Sequence, residues 1–345
     1  MTPQGLVDEL ERLEDDLRLL IPVLRRQLAD QAAEGFARPR EIFVVGQGDS
    51  YIAGVAAEMA FFAEGLSVRT QHAQHFRDYA IDGMRSPEHT LVVGVSASGA
   101  TERVVQALVA ARDRGAATLA VTGRAGSAAA AAADRDLLVE LSEKERSPGI
   151  RSYQASLAAL LMAASTLGGS DVPAAKFEAL PSAVGATVRA ALACCPAIAA
   201  SVADAPTIMF AGTGPSYGAA LYAAAKLVEA AGVTASGHEL EDWWHVDRFK
   251  TPSDLPLVVI APPGRSNLRA LELARKAREI GRRVIVVASR ADTALARYAD
   301  AVIPVCGEAP EELSPLLYHI CGGALAAALA SRLGRNPFGF RPAFT

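Results

Sequence analysis

The sequence predicts an α/β protein made of two tandem doubly wound parallel-sheet domains behind an N-terminal helix, and three observations predict it. The chain repeats itself at a fixed offset of 166 residues: Gly46, Gly48, Ser50 and Tyr51 return as Gly212, Gly214, Ser216 and Tyr217, and Leu91, Val92 and Val93 as Leu257, Val258 and Val259. Gly115, Arg124, Asp134 and His72 fall on Gly281, Arg290, Asp300 and His238 without a gap, the mark of a duplicated domain. Each copy alternates continuous apolar runs with helical patterns, as parallel strands covered on both faces do. Finally, 345 residues at 51% hydrophobic content can bury two cores of ordinary domain size.

The elements follow in order. Leu6, Leu10, Leu13, Leu17, Leu20, Leu24 and Leu28 recur at the three-and-four spacing of one amphipathic helix, with Pro22 as a candidate kink. In the first copy, apolar runs at 42–45, 91–95, 117–122 and 137–141 read as strands, and 51–64 and 102–114 as helices. In the second, strands are expected at 207–211, 257–261, 284–288 and 302–305, and helices at 216–231 and 268–280. The alanine run 128–133 keeps helix propensity and is read as helix. The expected divisions are a helix at 1–38, a first domain at 39–170, an Ala-rich helical linker at 171–205, a second domain at 206–333 and a tail at 334–345.

Composition excludes several functions. A net charge of -4 and a pI near 5.9, with no basic stripe, argue against a nucleic-acid partner. The apolar runs look short and broken and the N-terminus is acidic, so neither a spanning helix nor a signal peptide is expected, and the protein reads as cytoplasmic with no membrane partner. Cys194, Cys195, Cys306 and Cys321 have no zinc-finger spacing and read as core thiols. His72 and His75 lack the partners of a metal site. No metal and no cofactor are expected.

In a doubly wound sheet, ligands bind beyond the carboxyl ends of the strands, where both glycine turns and the loop Ser96-Ala97-Ser98-Gly99-Ala100-Thr101 fall. That loop offers three hydroxyls, a glycine for close backbone approach and the free amides of a helix N-terminus, a set suited to a phosphate monoester. Helix capping explains Ser and Thr equally well. The second copy carries Pro262, Gly264 and Asn267 at the three hydroxyl positions; capping would be needed in both copies, so the loss favours a ligand. Gly46-x-Gly48 lacks the sixth-position glycine and the acidic residue of a dinucleotide site, and no Gly-Lys-Ser/Thr follows any glycine loop. Lys226 and Glu229 share a helix face, as many surface pairs do. His245, in HELEDWWHVDRF, is either a packed core histidine or a ring that meets ligand.

The motifs GQGDSY, HFRDY, VSASGAT, ERSPGIRSY and GTGPSYGAALYAAAKLVE, with the His245 segment, resemble the SIS (sugar isomerase) family. The resemblance covers nearly everything after about residue 38 and is strongest to the double-domain group that includes the isomerase half of glucosamine-6-phosphate synthase. It implies flavodoxin-like SIS domains. It also implies that Ser96, Ser98 and Thr101, with Gly99 and Ser50 beside them, bind a sugar phosphate, and that Gly48 and Gly149 line the substrate. Lys226 and Glu229 fall on the family's helix lysine and catalytic base, and His245 on its ring-opening histidine, contributed there by the neighbouring subunit, so a homodimer is implied.

Such an enzyme moves a carbonyl between C1 and C2 of a sugar phosphate through a cis-enediol or enolamine, with a carboxylate carrying the proton. Departures narrow the expectation. The tail RNPFGFRPAFT has no lysine where the synthase meets the open sugar, these residues include no glutaminase domain, and a family serine is replaced near Pro148-Gly149. The expected activity is therefore aldose-ketose isomerisation of a sugar phosphate or amino-sugar phosphate. Deamination or deglycation is the alternative, and a non-catalytic sugar-phosphate sensor is the alternative of another class.

Overall fold

The computed structural model describes residues 1–33, 39–142, 147–169 and 174–339. Two helices, α1 (Pro3–Glu11) and α2 (Leu13–Ala33), precede β1 (Glu41–Gly46). Then come α3 (Asp49–Ala63), β2 (Val68–His72), α4 (Ala73–Asp78), β3 (Thr90–Ser96), α5 (Glu102–Asp113), β4 (Ala117–Thr122), α6 (Ala128–Ala132), β5 (Arg135–Leu138) and α7 (Ile150–Gly168). The second run is α8 (Ala174–Glu178), α9 (Leu180–Val202), β6 (Ile208–Gly212), α10 (Pro215–Ala231), β7 (Ala235–Glu239), α11 (Leu240–His245), β8 (Pro256–Ala261) and α12 (Asn267–Glu279). It closes with β9 (Arg283–Ser289), α13 (Thr293–Ala296), β10 (Ala301–Val305), α14 (Pro315–Tyr318) and α15 (Ile320–Arg332).

The strands form two five-stranded parallel sheets of identical order, β2-β1-β3-β4-β5 and β7-β6-β8-β9-β10. The chain divides into two compact units, one of Met1–Glu14, Glu145–Ile150 and Ala179–Thr345, the other of Asp15–Lys144 and Arg151–Glu178.

In the unit that holds the first sheet, Phe43, Val45 and Val92 pack against Phe76 of α4, Val104 and Leu108 of α5 and Ala129 of α6. The opposite face meets α3, where a Cβ on Gly54 would lie 2.7 Å from Thr70 and 2.9 Å from Val44, so only glycine permits that approach. The edge strand β5 is covered by α2: Gln27 donates to the carbonyl of Leu138 and accepts from its amide, and Gln31 donates to the carbonyl of Asp136. Such cover removes an open sheet edge. Arg151 and Asp16 form a bidentate pair at 2.6 and 2.7 Å inside this unit.

In the other unit, one face of the second sheet packs Met209, Leu257 and Val284 against Leu240, Trp243, Leu273 and Ala277. α9, α10 and α15 pack together, and small residues allow it: a Cβ on Gly322 would stand 2.6 Å from the Cα of Ala223.

Two expectations need correction. The N-terminal helix is broken at Arg12 and runs unbroken through Pro22, because a proline interrupts one hydrogen bond that the remaining turns of a long helix can outweigh. No spanning helix was expected, whereas the stretch Lys176–Val202 is long and apolar enough to cross a membrane by length and composition alone, and half of its most apolar part is buried. Within this stretch Pro181 sits in the first turn of α9 and Pro196 inside α9, which packs against α15. Of the four thiols, Cys195 and Cys321 are buried, whereas Cys194 and Cys306 are half-buried.

Candidate functional site

Within the first sheet, β1 and β3 are neighbours, and their helices α3 and α5 leave to opposite faces. The loops beyond their carboxyl ends therefore flank the switch point where ligands bind in such sheets. One is the turn at Gly48, which enters α3 with φ 52° and ψ -126°. Ser50 follows, half-buried, and its hydroxyl makes no hydrogen bond among the described residues.

The other is the Ser96–Thr101 loop. Ser96 ends β3, and its Oγ lies 2.9 Å from Oγ1 of Thr101. The amide of Gly99 donates to the carbonyl of Ser96 at 2.9 Å, and that of Ala100 to Oγ of Ser98 at 3.2 Å. Gly99 has φ 67°, and a Cβ there would lie 2.2 Å from Ser127, so both conformation and space exclude a side chain. Thr101 is the N-cap residue of α5, yet its side chain caps no amide. The capping explanation therefore fails for this hydroxyl, and α5 presents a positive N-terminal end beside three hydroxyls.

The second sheet repeats the turn and disables the loop. Gly214 has φ 54° and ψ -129°, close to Gly48. Ser216, the counterpart of Ser50, is buried, and its Oγ is occupied by the carbonyl and amide of Thr213 at 2.8 and 3.0 Å. Beyond β8, Asn267 donates to Asp292 at 3.0 Å, and the amide of Arg265 donates to Oε1 of Glu311 at 3.0 Å. The Glu311 carboxylate packs so closely on Gly264 that a Cβ there would meet its Cδ at 2.2 Å.

α10 carries the other group. Lys226 is 1% exposed, which removes the surface-pair reading. Its Nζ donates to the carbonyl of Pro148 and to Oε2 of Glu229, the latter at 2.5 Å, and lies 5.1 Å from the centroid of the Tyr222 ring. Glu229 is 36% exposed at its side chain, and its Oε1 makes no hydrogen bond among the described residues. Gly149, next to Pro148, has φ 78°. Two of these neighbours carry no mark in the sequence. The tail passes the end of α10, with the amide of Phe338 on the carbonyl of Glu229 at 3.0 Å and Arg335 on that of Ala231 at 2.8 Å. Pro148 acts through its carbonyl, which no residue pattern marks.

His245 ends α11 with its side chain 70% exposed, 3.5 Å from Glu241. Trp243 beside it is buried and Trp244 partly so. The packed-core alternative for His245 is thus excluded. The structure pairs the imidazole with Glu241, and pairs Glu229 with Lys226. Arg269 grips Glu241 at 2.5 and 2.9 Å and is the main cause of its lowered pKa.

The SIS domain family matches residues 35–166 and 201–320. The chain belongs to this family. It is 27% identical over 312 residues to the glutamine–fructose-6-phosphate aminotransferase (isomerizing) of Methanothermobacter thermautotrophicus, covering 88% of this chain and 51% of that protein. It is 30% identical over 310 residues to the Mycolicibacterium paratuberculosis protein of the same name, covering 85% and 49%. This SIS protein thus spans about half the length of the curated relatives it matches. Its fold matches the C-terminal domain of glucosamine-fructose-6-phosphate aminotransferase from Francisella tularensis with a TM-score of 0.82, at 18% identity over 96% of this chain and 97% of that one. Glucosamine-6-phosphate deaminase from Thermotoga maritima matches with a TM-score of 0.76, at 17% identity over 98% of each chain.

Proposed function

We propose that this SIS protein is a sugar-phosphate aldose-ketose isomerase that works through a cis-enediol or enolamine with Glu229 as the base. The observation that carries the reading is the buried ammonium of Lys226 holding one oxygen of Glu229 while the other accepts no hydrogen bond among the described residues. An exposed surface pair would serve no such purpose, and a proton shuttle needs a fixed carboxylate with a free lone pair. The hydroxyls of Ser50, Ser96, Ser98 and Thr101, with the backbone at Gly48 and Gly99, hold the phosphate and thereby position the open chain. Glu229 takes the proton from C2 of the aldose and returns it to C1, while the hydroxyl proton on O2 passes to O1. Gly149 lines the sugar. His245 opens the ring, contributed by the second subunit of a homodimer, in keeping with its exposure.

The names of the similar proteins include an aminotransferase and a deaminase, so release of ammonia or amine belongs in the same test. Fructose 6-phosphate, glucosamine 6-phosphate and fructosamine 6-phosphates are each incubated with the protein, following ketose, aldose and amine. Glu229→Gln removes the base but keeps the shape, so turnover should vanish while sugar-phosphate binding, read by thermal shift, persists. Undiminished turnover in this variant would refute the assignment. A sensor would bind phosphorylated sugars, convert none of them and be indifferent to Glu229.

A further inference from the structure

The segment after His245 is held by a buried guanidinium. Arg282, just before β9, is 3% exposed. Its Nη1 donates to the carbonyls of Pro252 and Ser253 at 2.7 and 3.2 Å, and its Nη2 to those of Lys250, Arg248 and Asp247 at 2.6, 3.0 and 3.4 Å. One cation thus gathers five carbonyls of a single loop. Burial lowers its pKa, with Asp254 acting in the opposite sense, as expected for a charge taken out of water.

A second tie secures the same loop to the sheet. Asp247 accepts from Nδ1 of His238 at 2.5 Å and from Nζ of Lys250 at 2.6 Å. Nε2 of His238 lies 2.7 Å from Oγ of Ser236, so the imidazole is fixed at both nitrogens to β7 and to the loop. The first copy lacks the residues of this clamp: Ala116, Ile81 and Tyr79 stand at the repeat positions of Arg282, Asp247 and His245. There Arg114 makes a smaller tie, donating to the carbonyl of Ile81 at 3.0 Å and pairing with the Asp82 carboxylate at 2.5 Å. The clamp occurs in the copy that carries the histidine. His245 itself is exposed, and the only carboxylate beside it, Glu241, is engaged by Arg269 among the described residues. Its place is therefore set by its backbone.

We propose that Arg282, together with the His238–Asp247 pair, is a positioning residue that fixes the backbone around His245 so that the imidazole is presented in one orientation to the sugar ring. The role of His245 in ring opening rests on the isomerase reading, whereas the clamp itself does not. Arg282→Lys keeps a cation but cannot reach five carbonyls, and thermal melting establishes that the variant is folded. Amides of residues 240–253 should exchange about tenfold faster in the variant, with the rest of the second sheet unchanged. For fructose 6-phosphate, kcat should fall about tenfold at little-changed KM. For 5-deoxyfructose 6-phosphate, which cannot close a ring, kcat should be unchanged. Equal losses on both sugars would reduce Arg282 to general structural support and overturn the proposal, and so would unaltered exchange in residues 240–253. Wild-type protein that converts neither sugar would remove the isomerase reading and leave the exchange measurement to decide the clamp.

Discussion

Mild acid should destabilise this protein through His319. The imidazole is fully buried where α14 meets α15, edge-on to Tyr222 with ring centroids 5.3 Å apart. Burial pushes its pKa from 6.5 down to about 3. The folded state therefore keeps the ring neutral, while the unfolded chain gains a proton below pH 6.5. Above pH 6.5 both states are neutral and His319 adds no pH dependence. As the pH falls from 6.5 towards 3, the unfolded state binds more protons and stability drops by about 1.4 kcal/mol per pH unit. At pH 5 the loss amounts to about 2 kcal/mol. Urea titrations at pH 7 and pH 5 measure it, on the wild type and on His319→Phe, which keeps a ring against Tyr222. The stability difference between the two pH values should be about 2 kcal/mol smaller in the variant. Identical pH dependence in both proteins would refute the argument.

Two further expectations concern the first sheet's unit. Ser96→Ala combined with Thr101→Val removes two hydroxyls together with the bond between them and the contact of the Thr101 amide on Ser96 Oγ, so sugar-phosphate affinity should fall by about 1.5–3 kcal/mol per lost charged hydrogen bond; calorimetric titration reads both constants, and a thermal melt checks that the variant is folded. Arg151→Leu leaves the Asp16 carboxylate without its bidentate partner, and should cost about 3–5 kcal/mol of stability in denaturant melts.

The sequence made the central strands and the edge strand β10 plain and hid β2 and β7. Strands such as β3 and β8 are buried on both faces, so they appear as continuous apolar runs. β2 and β7 read VRTQH and ASGHE, partly exposed edge strands with no apolar run, and both escaped. The last strand of the first sheet was expected at 137–141 but spans Arg135–Leu138, because Gln27 and Gln31 of α2 satisfy its backbone and no apolar stretch is needed there. The hydroxyl loop was legible because duplication supplied an internal control, Pro262, Gly264 and Asn267, lacking the hydroxyls. The pairing of Lys226 with Glu229 was legible as spacing, but whether it lay on the surface was decided by a backbone carbonyl at Pro148, distant in sequence. For the same reason the clamp on Arg282 was invisible: its partners are carbonyl oxygens, which every residue possesses.

Glu311 carries a consequence for how the halves diverged. By seating its own carboxylate on Gly264 and Arg265, the later repeat places an internal negative charge at the bend that corresponds to the loop proposed to hold phosphate in the first. Pro262 and Pro263 have meanwhile deleted two backbone donors at the same bend. Restoring hydroxyls alone would rebuild no receptor there, since the tenant and the missing amides would both have to be reversed, so the specialisation of the two repeats behaves as a ratchet.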